Sequence, residues 1–300
     1  MTSHGSPIPE WIKVKALRLE GFDDVKYILR SLGLSTVCEE ARCPNIYECW
    51  NDATATFMLL GETCTRSCRF CSVKTSNPRG WVDPSEPYKV AMAIQYLGLD
   101  YAVLTMVCRD DLADGGASHM ARAVAEIKRR SPSTMVELLL CDMGGKREAI
   151  EVVVGSGAEV LGHNIETVRR LTPIVRDRRA SYERSLEVLR SFKEIARIKG
   201  RKILTKSSII LGFGESFEEV LETLRDLREA EVDIVTIGQY LRPTSSPRNI
   251  PVARYVPPEV FEKLRVEAYR LGFRYVASGP LVRSSYRASE AYAKAILKSL

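Results

Sequence analysis

Residues 53–71 read ATATFMLLGETCTRSCRFC. The run 53–61 is β-branched and apolar and ends at Gly61, which predicts a strand. Cys64, Cys68 and Cys71 leave its C-terminal end at C-x3-C-x2-C spacing. Just upstream, CEEARCPNIYECW (38–50) carries Cys38, Cys43 and Cys49 at C-x4-C-x5-C spacing. Packing accounts for single buried thiols, which need no spacing. Two triplets this close point to metal binding or thiol chemistry instead. Soft thiolates select zinc, copper(I) or iron–sulfur clusters. Structural zinc takes four ligands, often as two C-x2-C pairs. No fourth Cys or His stands beside the second triplet, so a three-ligand cluster with an open position reads better than a zinc knuckle.

Outward from this stretch the chain alternates. Strands are predicted at 100–107, 134–141, 158–165, 202–214, 232–243 and 273–280. Helices are predicted at 83–99, 117–131, 144–157, 181–200, 216–231 and 257–272. Ser181 and the Ser216–Glu219 pair read as helix caps, Gly200 as a helix stop and Pro258 as a first-turn residue. A short helix over 21–35 precedes the cysteines, and a tail helix closes the chain. About six strand–helix repeats with short links imply parallel strands and right-handed crossovers. A doubly wound sheet and a partial barrel both fit, and both place their sites at the C-terminal strand ends. The second triplet therefore belongs to the site in either case.

The chain has 300 residues, a net charge of +6 and the apolar and charged fractions of a globular protein. No apolar run approaches the ~20 residues of a membrane span, and no secretion signal is expected, since residues 1–16 have no apolar core and no small-residue cleavage site. A cytoplasmic setting is expected, where clustered thiols bind metal or react rather than pair. Basic residues bunch at 128–130, 169–170, 176–179 and 193–202. They read either as solvated helix faces or as a surface for an acidic partner. Neither a nucleic-acid motif nor an interleaved aromatic pattern accompanies them.

CTRSCRFC resembles the C-x3-C-x-aromatic-C signature of the radical S-adenosylmethionine enzymes, with Phe70 as the aromatic. The resemblance implies a [4Fe–4S] cluster on Cys64, Cys68 and Cys71, with S-adenosylmethionine on its fourth iron and a 5′-deoxyadenosyl radical as product. It also implies an α/β fold, a partial (β/α)6 TIM-type barrel. A longer match runs along most of the chain. CEEARCPNIYECWNDATATFM, CRDDLADGGASH, HNIET, TKSSIILGFGES, QYLRP and SGPLVRSSYRA are similar to the lipoyl synthase family. That family holds an auxiliary [4Fe–4S] cluster on the first triplet, which supplies sulfur, with a serine of the RSSY motif as fourth ligand. Carried over, the ligands are Cys38, Cys43, Cys49 and Ser285, with Ser284 as the close alternative.

The same resemblance implies insertion of two sulfur atoms at C6 and C8 of an octanoyl chain. The chain would be carried on a lipoyl domain of the 2-oxoacid dehydrogenase or glycine-cleavage H protein type. It further implies an electron donor and an iron–sulfur cluster carrier as partners, and no role for nucleic acid or membrane. The expected division is an N-terminal extension (1–53), a barrel (54–280) and an RSSY segment with tail helix (281–300). The two extensions are expected to close over the barrel mouth. Another radical S-adenosylmethionine enzyme, performing methylthiolation or dehydrogenation, would share the second triplet but not the RSSY partner. A two-cluster electron-transfer protein would need four strong ligands per cluster.

Candidate contacts for S-adenosylmethionine are Phe70, Arg109, Asp110, Asn164, Glu166, Lys206 and Ser208, all near predicted strand ends or on the cysteine loop. Asn and Glu suit ribose hydroxyls and amino groups, although Asn164 also reads as a helix cap. Asp111 and Asp114 read as helix caps or site acids. His119 and His163 read as structural, and Cys108 and Cys141 as packed or incidental thiols. Cys108 stands where the family usually has aspartate. Arg176, Arg178 and Arg179 are the expected dock for an acidic carrier domain.

Overall fold

The computed structural model describes residues 7–13, 20–40, 43, 45–51 and 56–297. Helix α1 (Glu20–Leu32) leads into a two-residue strand, β1 (Ser35–Thr36), and two short helices, α2 (Val37–Glu40) and α3 (Ile46–Asn51). The predicted strand appears as β2 (Thr56–Leu59), buried along its length. Residues 53–55, and with them the expected 53/54 boundary, lie outside the described residues. After β2 come a small ribbon of β3 (Thr63–Cys64) and β4 (Lys74–Thr75), then α4 (Glu86–Tyr96) and β5 (Tyr101–Met106). The alternation continues with α5 (Ala117–Arg130), β6 (Met135–Leu139), α6 (Arg147–Gly155) and β7 (Val160–Gly162). It ends with α7 (Thr172–Val175), α8 (Tyr182–Ile198), β8 (Leu204–Leu211), α9 (Phe217–Glu229), β9 (Ile234–Gln239), α10 (Pro258–Arg270), β10 (Tyr275–Ser278) and α11 (Ala288–Leu297).

Local chemistry sets the helix limits. Ser181 accepts the Arg184 amide at the start of α8 (3.1 Å), and Ser216 with Glu219 forms a complete capping box on α9. Asp114, not Asp111, holds the start of α5, accepting the amides of Gly116 (2.9 Å) and Ser118 (2.8 Å). Gly200, at φ +62°, ends α8.

The main sheet runs β1-β2-β5-β6-β7-β8-β9-β10, parallel except for β1. Strand order follows chain order, the pattern of a barrel and not of a doubly wound sheet, and the sheet curls into a partial barrel with helices outside. No pairing joins β10 to β1 or β2 among the described residues, so a seam stays open there. The tail fills it. Gly238 on β9 has the Val282 carbonyl so close that a Cβ would lie 2.1 Å from its oxygen, and only glycine allows the approach. The tail helix α11 lies at the opposite end from the mouth. Its Ala291 and Ala295 pack on Val160, Leu204 and Ile234, the first residues of three strands. The tail thus starts at the mouth, where Arg283 donates to the carbonyl of Gln239 at the end of β9 and both Val37 and Arg283 border the cavity, and then runs down the seam toward the strand starts. No helix among the described residues is long and apolar enough to cross a membrane.

Candidate functional site

The loop after β2 carries Cys64, Cys68 and Cys71 to the C-terminal ends of the strands, where all three border a cavity of about 430 Å³. The barrel braces this loop from several sides. The Arg66 guanidinium bonds both oxygens of Asp142 (2.8 and 2.6 Å) and reaches Asp110 (2.7 Å). The Thr65 amide donates to the Cys108 carbonyl (2.9 Å), Ser67 to Asp177 (2.9 Å), and Arg69 to the Val175 carbonyl (2.8 Å). Asn249 and Arg248 both donate to the Cys71 carbonyl (3.0 and 3.1 Å). Two amides point at sulfur: Asp177 toward Cys68 (3.3 Å) and Arg66 toward Cys64 (3.4 Å).

Burial pushes the Cys68 thiol up to about 12 and the Cys71 thiol up to about 11. Cys64 is pushed up first by a hydrogen bond to Cys108 and then by burial. A metal bound here must displace thiol protons, which ties its affinity to pH. Among the described residues no three His, Cys, Asp or Glu side chains converge tightly enough to share one ion. The thiols still sense one another, Cys71 both Cys64 and Cys68. A spread triplet of this kind suits a cluster in which each iron takes one thiolate.

Opposite the cysteines the cavity is bordered by Asn164, Glu166 and Ser208. Glu166 adopts φ +68°, uncommon outside glycine. Its amide donates to Ser208 O (3.0 Å) and its carbonyl accepts Ile210 N (2.7 Å), which locks it onto β8. Burial raises its carboxyl above the usual range, against the charge of Arg176 and a hydrogen bond from Asn164. The Asn164 Oδ1 is buried with no partner, an acceptor open to a ligand hydroxyl or amine. Between the two polar ends the wall is apolar, with Met58, Met106, Leu139 and Ile210.

None of the first triplet borders this cavity, but Val37, next to Cys38, and Arg283, whose guanidinium feels the Cys43 thiol, do. Cys38 is buried on α2, pushed up to about 11 by burial and opposed by a bond from the Thr56 amide, and it couples electrostatically to Cys43. α3, which holds Cys49, packs on α1 through Phe22, Tyr47 and Trp50. The tail closes the group. Asn45 donates to the Leu281 carbonyl (2.7 Å), and Thr56 Oγ1 donates to Ser285 Oγ (2.9 Å) across 229 residues. Tyr286 OH donates to Glu48 (3.1 Å). Ser284 and Arg283 border the cavity. Burial lowers the Arg283 guanidinium, while the nearby Cys43 thiol counters it.

Phe70, Asn164, Glu166 and Ser208 thus lie where the sequence placed them, on one cavity with the second triplet. Three other candidates do not border it. Arg109 is buried against Asp111 (2.7 Å) and the Leu60 and Trp81 carbonyls (3.2 and 2.8 Å), so its charge is already spent on its own loop. Asp110 binds Arg66 and Thr65 (2.6 Å), bracing the cysteine loop from outside. Lys206 points away into a buried pair with Glu137 (2.8 and 2.9 Å). The expected dock is also reduced. Arg176 is buried, bonding Ser185 (2.8 Å), while Arg178 and Arg179 are exposed and Arg179 is paired with Asp177 (2.9 Å). Other basic clusters pair similarly, Lys128 with Glu159 and Arg170 with Glu219.

Both histidines are held as structural residues. His163 bonds the Leu140 carbonyl (2.8 Å) and Ser185 (2.9 Å), and His119 bonds Glu86 (2.6 Å). Cys108 and Cys141 both border the cavity. Their positions at two successive strand ends were the available signal. Arg66 and Asp142, far apart in sequence, had none.

The model of the Radical SAM superfamily matches residues 58–227. A lipoyl synthase of Pyrobaculum arsenaticum is 58% identical over 291 residues, covering 97% of each chain. A lipoyl synthase of Thermus thermophilus is 54% identical, over 96% of this chain and 87% of its own. Among solved structures, methylornithine synthase matches with a TM-score of 0.55 at 14% identity, over 82% of each chain, a likeness of fold alone.

Proposed function

The chain belongs to the lipoyl synthases of the radical S-adenosylmethionine superfamily, and on that premise we propose how its residues divide the work of inserting sulfur at C6 and C8 of a protein-bound octanoyl chain. Cys64, Cys68 and Cys71 hold the family's [4Fe–4S] cluster. Cys38, Cys43, Cys49 and Ser285 hold an auxiliary one. When bound, these clusters and S-adenosylmethionine supply a deoxyadenosyl radical, which an unactivated C–H requires, and the sulfur to be inserted. Asn164, Glu166 and Ser208 orient the nucleoside, and Phe70 packs beside the cysteine loop. The apolar wall between the triplets takes the acyl chain and keeps water from it. Arg283 balances negative charge at the first triplet. Ser285 is favoured over Ser284 because it bonds Thr56, whose amide also bonds Cys38. A serine oxygen is a weaker partner for iron than thiolate, which suits a cluster that gives up sulfur.

The observation that carries this reading is one cavity bordered both by the second triplet and by Val37, Arg283 and Ser284, chain neighbours of Cys38 and Ser285. The enzyme works in the cytoplasm on an octanoylated lipoyl domain, with an electron donor and a cluster carrier as further partners. Residues 1–53 and 281–300 serve the first triplet, and 54–280 the second. The test is to incubate the reconstituted chain with reductant, S-adenosylmethionine and an octanoyl-lysine lipoyl domain. Lipoyl product with loss of the auxiliary cluster is expected. Deoxyadenosine without sulfur transfer would move the chain to a methylthiolating or dehydrogenating class, and no cleavage at all to an electron carrier.

A further inference from the structure

Three segments close around the cavity, and hydrogen bonds staple them together. The cysteine loop (65–75) joins the segment after α7, where the Arg69 amide donates to the Val175 carbonyl (2.8 Å). It joins the β9–α10 connection where the Ile250 amide donates to the Arg69 carbonyl (3.1 Å) and Arg248 to the Val73 carbonyl (2.9 Å). That connection, 240–257, holds no regular element, and in a compact domain a loop this long generally carries a function. Cys71, Ser72, Arg176, Arg242 and Pro243 bring all three segments to the cavity. Their charge is one-sided. Residues 65–75, 176–179 and 240–257 each hold three Lys or Arg, and the single carboxylate among them is Asp177. Arg66 is answered by Asp110 and Asp142, and Arg179 by Asp177. Arg69, Lys74 and Arg178 are exposed, and no carboxylate pairs with them among the described residues. Arg242 is exposed too, and its donors go to the neutral carbonyls of Ser245, Ser246 and Asn249. Ile174 on α7, beside the Val175 that Arg69 bonds, is 45% exposed.

We propose that this rim, with Arg69, Lys74, Arg178 and Arg242 around Ile174, docks an acidic face of the domain that carries the octanoyl-lysine. An acyl chain held on a protein's lysine enters the cavity only if the body of the carrier rests beside it, and the three stapled segments are what that body meets. That the acyl group arrives on a protein rests on the function proposed above, whereas the charge pattern and its place do not. Cations without a carboxylate keep their field until a partner supplies one, which speeds encounter and fixes orientation. Ile174 adds an apolar contact inside a polar rim, as protein interfaces do. Of the dock expected from the sequence, Arg178 alone belongs to this set. The α2 margin has the opposite charge: Val37 brings it to the same cavity, and Glu39 and Glu40 follow. A carrier with one acidic face is therefore admitted in one orientation. The exposed residues of the three segments include no aromatic ring, so a nucleic-acid strand finds no base-stacking platform here.

The test measures binding of a fluorescently labelled, octanoylated lipoyl domain to the reconstituted full-length enzyme by anisotropy. Lys74→Glu combined with Arg178→Glu should raise Kd roughly tenfold or more, because like charges then meet across the interface. Lys199→Glu combined with Lys202→Glu, an equal reversal at exposed positions just before β8 and so at the other end of the barrel, should leave Kd unchanged. In wild type Kd should rise between about 50 and about 300 mM salt as the charges are screened. An unchanged Kd in the first variant, an equal rise in the second, or a wild-type Kd indifferent to salt overturns the proposal. So does tighter binding of a single-stranded oligonucleotide than of the domain. Turnover of a short, uncharged octanoyl-lysine peptide reports separately on the proposed function, and the first variant should convert it as wild type does. If that variant loses the peptide as well, the substitutions have damaged the site, and the wild-type salt series decides. If wild type converts neither peptide nor domain, the proposed function fails while the binding result stands.

Discussion

The two cysteine triplets are built in opposite ways. The second is braced by the barrel itself: Arg66 reaches Asp110 and Asp142, and amides on the loop bond to Cys108, Val175 and Asp177. The first lies on two short helices, and the tail completes it through Asn45, Thr56 and Glu48. The triplet proposed to hold the cluster that survives each turnover is thus the one braced by barrel side chains. The one proposed to give up sulfur is closed by a segment that arrives from the far end of the chain.

The largest test of this contrast is substitution within each set. Cys68→Ala should abolish both deoxyadenosine and lipoyl product. Cys43→Ala should abolish lipoyl product while S-adenosylmethionine cleavage continues. Chromatographic assay of both products decides, and loss of deoxyadenosine in Cys43→Ala would mean that the sites are not separate. Next in size is the closing ligand. Ser285→Ala should lose roughly half of the bound iron, the share of one of two [4Fe–4S] clusters, and Ser284→Ala should retain it. Iron and sulfide analysis reads this directly, and the opposite pattern would hand the role to Ser284.

The barrel and the second triplet were readable because their signals are local. Strand periodicity, the Ser216–Glu219 box and the C-x3-C-x2-C spacing each lie within a few residues. The seam was partly readable: a fourth ligand from the tail implied contact between the chain ends, but not that the tail would descend beside Gly238 to the barrel floor. Nor did position at a strand end tell which way a side chain points. Lys206 and Ser208 are two residues apart on β8, yet Lys206 is absorbed by Glu137 while Ser208 meets the cavity. Arg109 and Asp110 were expected at the cofactor from their place just after a strand. Their side chains are instead engaged by long-range partners, Trp81 for one and Arg66 for the other, and neither borders the cavity.

Two further tests bear on the rigid side of the comparison. Arg66 is 4% exposed and Asp142 fully buried, so Arg66→Ala strands a carboxylate. The cost should be about 3–5 kcal/mol, seen as a lower denaturation midpoint, with iron lost from the second triplet and kept by the first. Equal loss from both would show that the loop and the seam fold as one unit.

Acid attacks the same wall. Burial holds the His163 imidazole at about 4, down from 6.5, assisted by the Arg176 charge and opposed by the Leu140 carbonyl and Asp142. The unfolded chain therefore binds a proton that the native chain refuses, so stability falls as pH drops from 6.5 toward 4, by about 3 kcal/mol in all. It is fully present above pH 6.5. Asp142, which burial would raise but Arg66 holds at about 2, adds its own loss only below the ordinary carboxylate range. Urea melts across this window should flatten in His163→Gln, and an unchanged slope would remove the imidazole as the cause.

The smallest effects probe the seam. Asn45 is 2% exposed, and its amide is committed to the Leu281 carbonyl. Asn45→Ala leaves that carbonyl without its donor, which costs about 1–3 kcal/mol when the group stays buried. Tyr286 reaches Glu48 at the surface, where both groups recover their hydrogen bonds from water. Tyr286→Phe should therefore cost under about 1 kcal/mol and leave first-triplet iron in place. If the inner bond governs the seam, thermal melts and iron content will rank Asn45→Ala well below Tyr286→Phe. If the two variants fall together, the tail is held from its outer face, and the first triplet is more open to solvent than the cavity that it adjoins.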